Sequence, residues 1–276
     1  MRHVTPADMA ALPTLADVEA SLKPAHRPVI TAARASIEGA YGNFETAIPD
    51  NLHTLAPVGL SQATRKTLET IFTRRLGEFG TLWDALHEHF EDTGNSTCPY
   101  CNFGEQWEHD HYLPKSVFPE FTLYPNNLVP ICKGCNGKKR ALYHLAGARL
   151  FTYVFSELDG VVGLLNVEIA YAPKLGVSYS LVNPGTLAPA TFEVLERHFR
   201  ALDLRRRYAK QASTTLALLL RTFRTPVSLG LGPRQLRRRL KQMAVDRAAQ
   251  CPANHWEVAL LQRLAASSDF TTYVFS

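Results

Sequence analysis

Hydrophobic residues recur at helical spacing through most of the chain. Within residues 61–76, Leu68, Ile71, Phe72 and Leu76 fall at i, i+3, i+4 and i+8, which lines them along one face of a helix. Residues 79–90 repeat the pattern with Leu82, Leu86 and Phe90 four apart, and Gly94 is placed to end that helix. Upstream, residues 28–47 predict a helix opened by proline, followed by a loop over 49–57. Toward the other end, residues 191–203, 204–223, 233–250 and 253–266 each carry an apolar stripe, with Thr225-Pro226 and Gly232-Pro233 as breaks. Between these helical regions the period changes. Residues 150–155, 161–171 and 177–182 are rich in β-branched and aromatic side chains, are interrupted by Asp159-Gly160 and Pro173, and predict two or three strands. The pentapeptide TYVFS occurs at 152–156 and again at 272–276. No longer period surrounds it, so it reads as coincidental strand chemistry and not as a repeat architecture.

Composition narrows the class. With 276 residues, 46% hydrophobic and 20% charged, the chain can bury a core in one or two domains, which excludes disorder as its main state. Its most apolar stretch, 216–220, is far short of the roughly 20 residues that span a bilayer, and the first residues have no signal-like apolar region. A cytoplasmic protein without membrane contact is expected. The charge is uneven: residues 196–250 hold fourteen Lys+Arg against three Asp+Glu, a net +11, while the remainder carries −6. Arg205, Arg206, Arg207, Arg234, Arg237, Arg238, Arg239 and Lys241 could follow a phosphate backbone, or dock an acidic partner protein. Aromatic residues are not interleaved with these cations, so a stacking platform for single strands has little support.

Four of the five cysteines form two pairs of equal spacing, Cys98-Pro-Tyr-Cys101 and Cys132-Lys-Gly-Cys135. In a reducing compartment that pattern predicts a metal site. Two such knuckles complete a tetrahedral Cys₄ zinc centre with no open position, hence a structural one. Cys251, beside a proline, is assigned to packing. The loop closed by the zinc contains Glu108-His109-Asp110-His111-Tyr112-Leu113-Pro114-Lys115, then Asn126-Asn127-Leu128, and Asn136, Lys138, Lys139 and Arg140 follow the last cysteine. Asp, His and Asn gathered in one such loop suggest a second site, for a hard divalent ion beside phosphate. His109 is expected at the surface. Tyr112, Leu113, Phe118, Phe121 and Trp107 are expected to pack the hairpin.

These residues resemble the HNH nucleases, whose ββα-metal fold is in one subgroup pinned by a Cys₄ zinc. The motif stands here as Asp110-His111 with Pro114, then Asn127-Leu128, then Cys132-x-x-Cys135-Asn136-x-Lys138-Lys139, over residues 98–140. The third position of the motif, often His, is Asn136, as in the HNH domains of RNA-guided nucleases. An amide carbonyl there favours magnesium over softer metals. The phrases DHYLPKS, FPEF and NLVP are also similar to HNH proteins of bacterial anti-phage systems, the Septu and retron-associated nucleases among them.

The resemblance implies roles. His111 would be the general base, Asp110 and Asn136 the ligands of catalytic Mg²⁺ or Mn²⁺, and Asn127 the residue that fixes the His111 ring by bonding backbone across the loop. Cys98, Cys101, Cys132 and Cys135 would hold structural Zn²⁺. Lys115, Lys138, Lys139, Arg140, Arg237 and Arg238 are the candidate nucleic-acid contacts. The expected fold is α+β, mainly helical, with an N-terminal helical region (1–94), a zinc-stabilised HNH core (95–145) and a C-terminal α+β region with basic helices (146–276). The implied activity is hydrolysis of phosphodiester bonds in DNA, in anti-phage defence. The chain contains no P-loop, so a separate ATPase partner is expected. The alternative is a non-catalytic zinc-dependent nucleic-acid-binding or adaptor protein that keeps HNH geometry.

Overall fold

The computed structural model describes residues 1–92, 97–105, 108–228 and 230–276. Gly94 and Trp107, read above as a helix stop and a packing residue, lie outside them. The described chain is mostly helical, with short antiparallel strand pairs, the α+β class expected. It divides into two compact units, one of residues 3–100 with 104–159, the other of 160–276 with 1–2 and 101–103.

In the first unit, α1 (Leu15–Ser21) opens on a reciprocal capping box between Thr14 and Asp17. In α2 (Arg27–Ala47), Ile30, Ala33, Ile37, Ala40, Phe44 and Ala47 are buried, alternately three and four residues apart, so one stripe faces inward. The Ser61 hydroxyl caps α3 (Gln62–Arg74) by accepting from Thr64 N at 3.1 Å, and the helix stops at Arg75 in the left-handed region, φ 52°. In α4 (Glu78–Asp92) the stripe of Phe79, Leu82, Leu86 and Phe90 is buried. Strand β1 (Glu108–His111) pairs antiparallel with β2 (Leu128–Ile131), Glu108 opposite Ile131 and His111 opposite Leu128, and α5 (Lys133–Lys139) follows at once. The ββα order is therefore present.

The N-terminal helices do not form a region apart from this hairpin. Tyr112, Leu113, Phe118 and Phe121 of the connecting loop are buried, and Phe121 packs edge-on against Phe44 of α2, ring centres 5.1 Å apart. A hairpin of four-residue strands cannot cover its own loop, so the helices supply the second layer.

A short ribbon of β3 (His144–Leu145) and β4 (Ala148–Arg149), not anticipated, precedes a second departure. Residues 150–155 were expected as a strand but form no ladder. Leu150, Phe151, Tyr153, Val154 and Phe155 are all buried, so the run has no polar face for a sheet, and its backbone bonds elsewhere. Phe151 O accepts from the Tyr112 hydroxyl at 2.8 Å, Val154 O from Val4 N at 2.8 Å, and Tyr153 N donates to the Glu157 carboxylate at 2.6 Å. Glu157 also holds buried Arg149 through Nη1 at 2.5 Å and Nη2 at 2.9 Å.

The second unit begins with β5 (Leu165–Ala170) paired to β6 (Gly176–Leu181), which accounts for the other two expected strand segments. Five helices follow: α6 (Pro189–Ala201), α7 (Leu204–Ser228), α8 (Pro233–Gln250), α9 (Trp256–Ala266) and α10 (Ser268–Phe275). Helix α7 continues past Thr225-Pro226, where a break was expected; a proline so near a helix end removes one backbone bond and leaves the earlier turns intact. Helix α10, unforeseen, contains most of the second TYVFS, capped by Ser267 Oγ accepting from Phe270 N at 3.0 Å. The first copy is a buried turn. Neither is strand, because surroundings decide the conformation of so short a segment. Among the described residues no helix is long and apolar enough to cross a membrane.

Candidate functional site

The thiolates of Cys98, Cys101, Cys132 and Cys135 lie within 4.8 Å of one another and all four residues are buried. Tetrahedral zinc with Zn–S near 2.3 Å separates its sulfurs by about 3.8 Å, so the cluster fits that ion and offers only sulfur ligands. Local structure positions each pair. Cys98 N donates to Gly104 O at 2.7 Å, closing the first knuckle. Cys132 is the N-cap of α5, its sulfur accepting from Cys135 N at 3.4 Å. The ion would thereby fasten the start of α5 to the chain before β1.

Strand β1 alternates as its period of two requires. His109 and His111 are buried on one face, and Glu108 and Asp110 are partly buried on the other. His109 was expected at the surface. It is instead packed against Trp83 and Phe90 of α4, ring centres 4.8 and 5.6 Å away, and burial lowers its pKa to about 4. Sharing a strand face with His111 was the signal for this.

The His111 ring, 6% exposed, lies 4.7 Å from the Phe72 ring of α3. Its Nε2 is 3.0 Å from Thr122 O. A carbonyl only accepts, so Nε2 carries the hydrogen and the lone pair of the neutral ring is on Nδ1. Burial lowers the pKa to about 4, against a smaller opposing effect of the Thr122 bond, so the ring is neutral near pH 7. Asn127, fully buried, ties the loop that holds this carbonyl. Its Oδ1 accepts from Leu113 N at 2.8 Å, and its Nδ2 donates to Leu113 O at 3.0 Å and Phe121 O at 3.3 Å.

On the other face, the carboxylates of β1 meet polar residues of α5. Asp110 Oδ2 is 2.7 Å from Lys139 Nζ, and the same ammonium donates to His111 O at 2.8 Å. Burial raises the Asp110 pKa, which the Lys139 charge and hydrogen bond oppose. One turn earlier on α5, Asn136 Nδ2 donates to Glu108 Oε2 at 2.5 Å. Oxygen donors of Asp110, Glu108 and Asn136 thus come from one strand face and one helix. They are of the hard kind that suits Mg²⁺.

The profile described as HNH endonuclease matches residues 98–141, the span from the first knuckle through α5. Residues 98–141 are an HNH domain. Septu protein PtuB of Bacillus thuringiensis is 38% identical over 53 residues, covering 17% of this chain and 21% of PtuB. Protein ea31 of Escherichia phage lambda is 24% identical over 177 residues, covering 61% of this chain and 59% of ea31. The aligned part is therefore less than two thirds of either relative. No solved structure matches.

The cations expected to meet nucleic acid divide into two kinds. In the HNH domain, Lys139 is 0% exposed and its ammonium serves Asp110, so the expected role as a surface phosphate contact does not hold. Lys115 is half-buried, 3.4 Å from Glu69 and 4.9 Å above the Phe72 ring. Lys138 is half-buried, and Arg140 is exposed just past α5. In the second unit, Arg237 and Arg238 are exposed on α8 beside a groove of about 740 Å³ toward α9, with Lys241 and Val245 along it. Sequence reading had assigned no function to Glu108, although its place two residues before Asp110 on a strand sets both on one face.

Proposed function

We propose that this protein is a metal-dependent HNH endonuclease that hydrolyses phosphodiester bonds in DNA. The observation that carries the reading is the 3.0 Å contact of His111 Nε2 with Thr122 O, which leaves a neutral imidazole with its lone pair on Nδ1. Such a ring can take a proton from water at neutral pH. Asp110 and the Asn136 carbonyl would hold Mg²⁺ or Mn²⁺, and a bound divalent ion supplies charge stabilisation at the phosphate. Asn127 holds the loop around His111, and the zinc cluster holds the start of α5. Exposed cations of α7 and α8 support a nucleic-acid substrate through sequence-independent attraction. Likeness to Septu PtuB supports a place in anti-phage defence; a cytoplasmic location and a separate ATPase that licenses cutting complete the proposal.

One observation favours a second reading. The Lys139 ammonium occupies an Asp110 oxygen that a cation would use, as a non-catalytic adaptor with HNH geometry would allow. Plasmid nicking with Mg²⁺ or Mn²⁺ separates the two. The wild type is expected to nick, and His111→Ala to lose about 10²- to 10⁴-fold in rate while binding DNA equally. A zinc-loaded wild type that binds DNA and nicks with neither ion supports the adaptor.

A further inference from the structure

Glu108 is the second carboxylate on the face of β1 that carries Asp110, and it accepts a hydrogen bond from the other residue assigned to the cation. The contact is Asn136 Nδ2 to Glu108 Oε2 at 2.5 Å. A primary amide has a donor end and an acceptor end of nearly the same shape, and rotation by 180° exchanges them. For a cation only one orientation serves: Oδ1 can ligate, whereas an NH₂ group repels. A carboxylate distinguishes the two ends with the opposite preference, since it accepts from NH₂ and repels a carbonyl oxygen. Placed on one side of Asn136, it therefore fixes Oδ1 as the end left for the ion. The bond is charge-assisted and joins the strand to a half-buried helical residue, so it is stronger than the same pair in water. One helical turn on, the contact of Lys139 with Asp110 ties α5 to the same strand face. Strand positions two apart thus meet helix positions three apart: the Lys139 contact holds the helix on the strand, and the Glu108 contact holds the amide.

We propose that Glu108 is a positioning residue of the cation site, orienting the Asn136 amide so that Oδ1 and not Nδ2 is presented to the ion. This rests on the assignment of Asn136 as a ligand made above. It differs from a direct ligand role for Glu108 in what the charge does. As an orienting group Glu108 needs an acceptor oxygen, which glutamine retains; as a ligand it needs the negative charge, which glutamine lacks.

The test uses the full chain loaded with zinc, with Mn²⁺ affinity read by electron paramagnetic resonance and the Asn136 side-chain amide read by ¹⁵N–¹H NMR. Glu108→Ala is expected to weaken Mn²⁺ binding by about 10- to 100-fold, the usual effect of removing a partner that orients a metal ligand. Glu108→Gln is expected to stay within about threefold of wild type, since its amide oxygen accepts the same N–H. The two Asn136 amide protons, held apart in shift by the carboxylate, should converge in Glu108→Ala even without Mn²⁺. Equal losses in Glu108→Gln and Glu108→Ala would overturn the proposal in favour of direct ligation, and an unchanged affinity in Glu108→Ala would overturn it outright. Asp110→Ala and Asn136→Ala are the controls: if neither lowers Mn²⁺ affinity, the cation site itself is refuted, whereas if both do and Glu108→Ala does not, only the orienting role is.

Discussion

Lys139 in the HNH domain and Arg237 and Arg238 on α8 carry the same charge in opposite settings. Lys139 is wholly buried, with its ammonium on Asp110 and on the His111 carbonyl. The two arginines are exposed on their helix, Arg237 with one bond from Nε to Thr271 Oγ1 at 3.1 Å. Low dielectric makes a buried charge depend on its particular partner, and loss of that partner leaves an uncompensated group. An exposed charge is screened by water and salt, so it acts through its sum with neighbours. Position therefore decides whether a cation is structural and singular or collective and replaceable.

The largest expected effect lies at the base of the buried side. Replacing Cys98 or Cys132 with Ser should release about one equivalent of zinc and unfold the hairpin, since apparent zinc binding energies of roughly 10–16 kcal/mol act as folding energy. Metal analysis and hydrogen exchange read both, and a zinc-free wild type that protects β1 fully would contradict the assignment. Next in size, Lys139→Met should cost about 3–5 kcal/mol in urea unfolding by leaving the Asp110 carboxylate buried alone. Adding Asp110→Asn should recover part of that loss; a double variant no better than Lys139→Met would show that the His111 carbonyl contact matters more. Smallest is charge reversal at Arg237 and Arg238, which should cost no more than about 1 kcal/mol in unfolding, chiefly from losing the bond of Arg237 Nε to Thr271 Oγ1. It should also weaken DNA binding and flatten its logarithmic salt slope by about two. An unaltered slope would assign this face to an acidic protein partner, and a large loss of stability would end the contrast with Lys139.

The legible parts of the molecule were those whose geometry is set by a few neighbouring residues. Cys-x-x-Cys spacing brings two thiolates to one turn whatever surrounds them. The stripe of α4 and the strand alternation at Asp110 and His111 follow from backbone period alone. Residues 150–155 were misread because a segment buried on every side carries no periodic signal. His109 and Lys139 were taken as surface groups because both are polar, and polarity says nothing of a partner brought from another element.

What the chain determined by itself is thus the list of donors and their local spacing: four thiolates, a strand with alternating histidines and carboxylates, and a helix beginning at a cysteine. Tertiary packing alone decided which nitrogen of His111 carries hydrogen, which carboxylate Lys139 meets and which way the Asn136 amide is turned. The reason is physical. Each of these depends on a hydrogen-bond partner at 2.5 to 3.0 Å supplied by a residue eleven or more positions away in sequence, and such a distance is set only when the layers close.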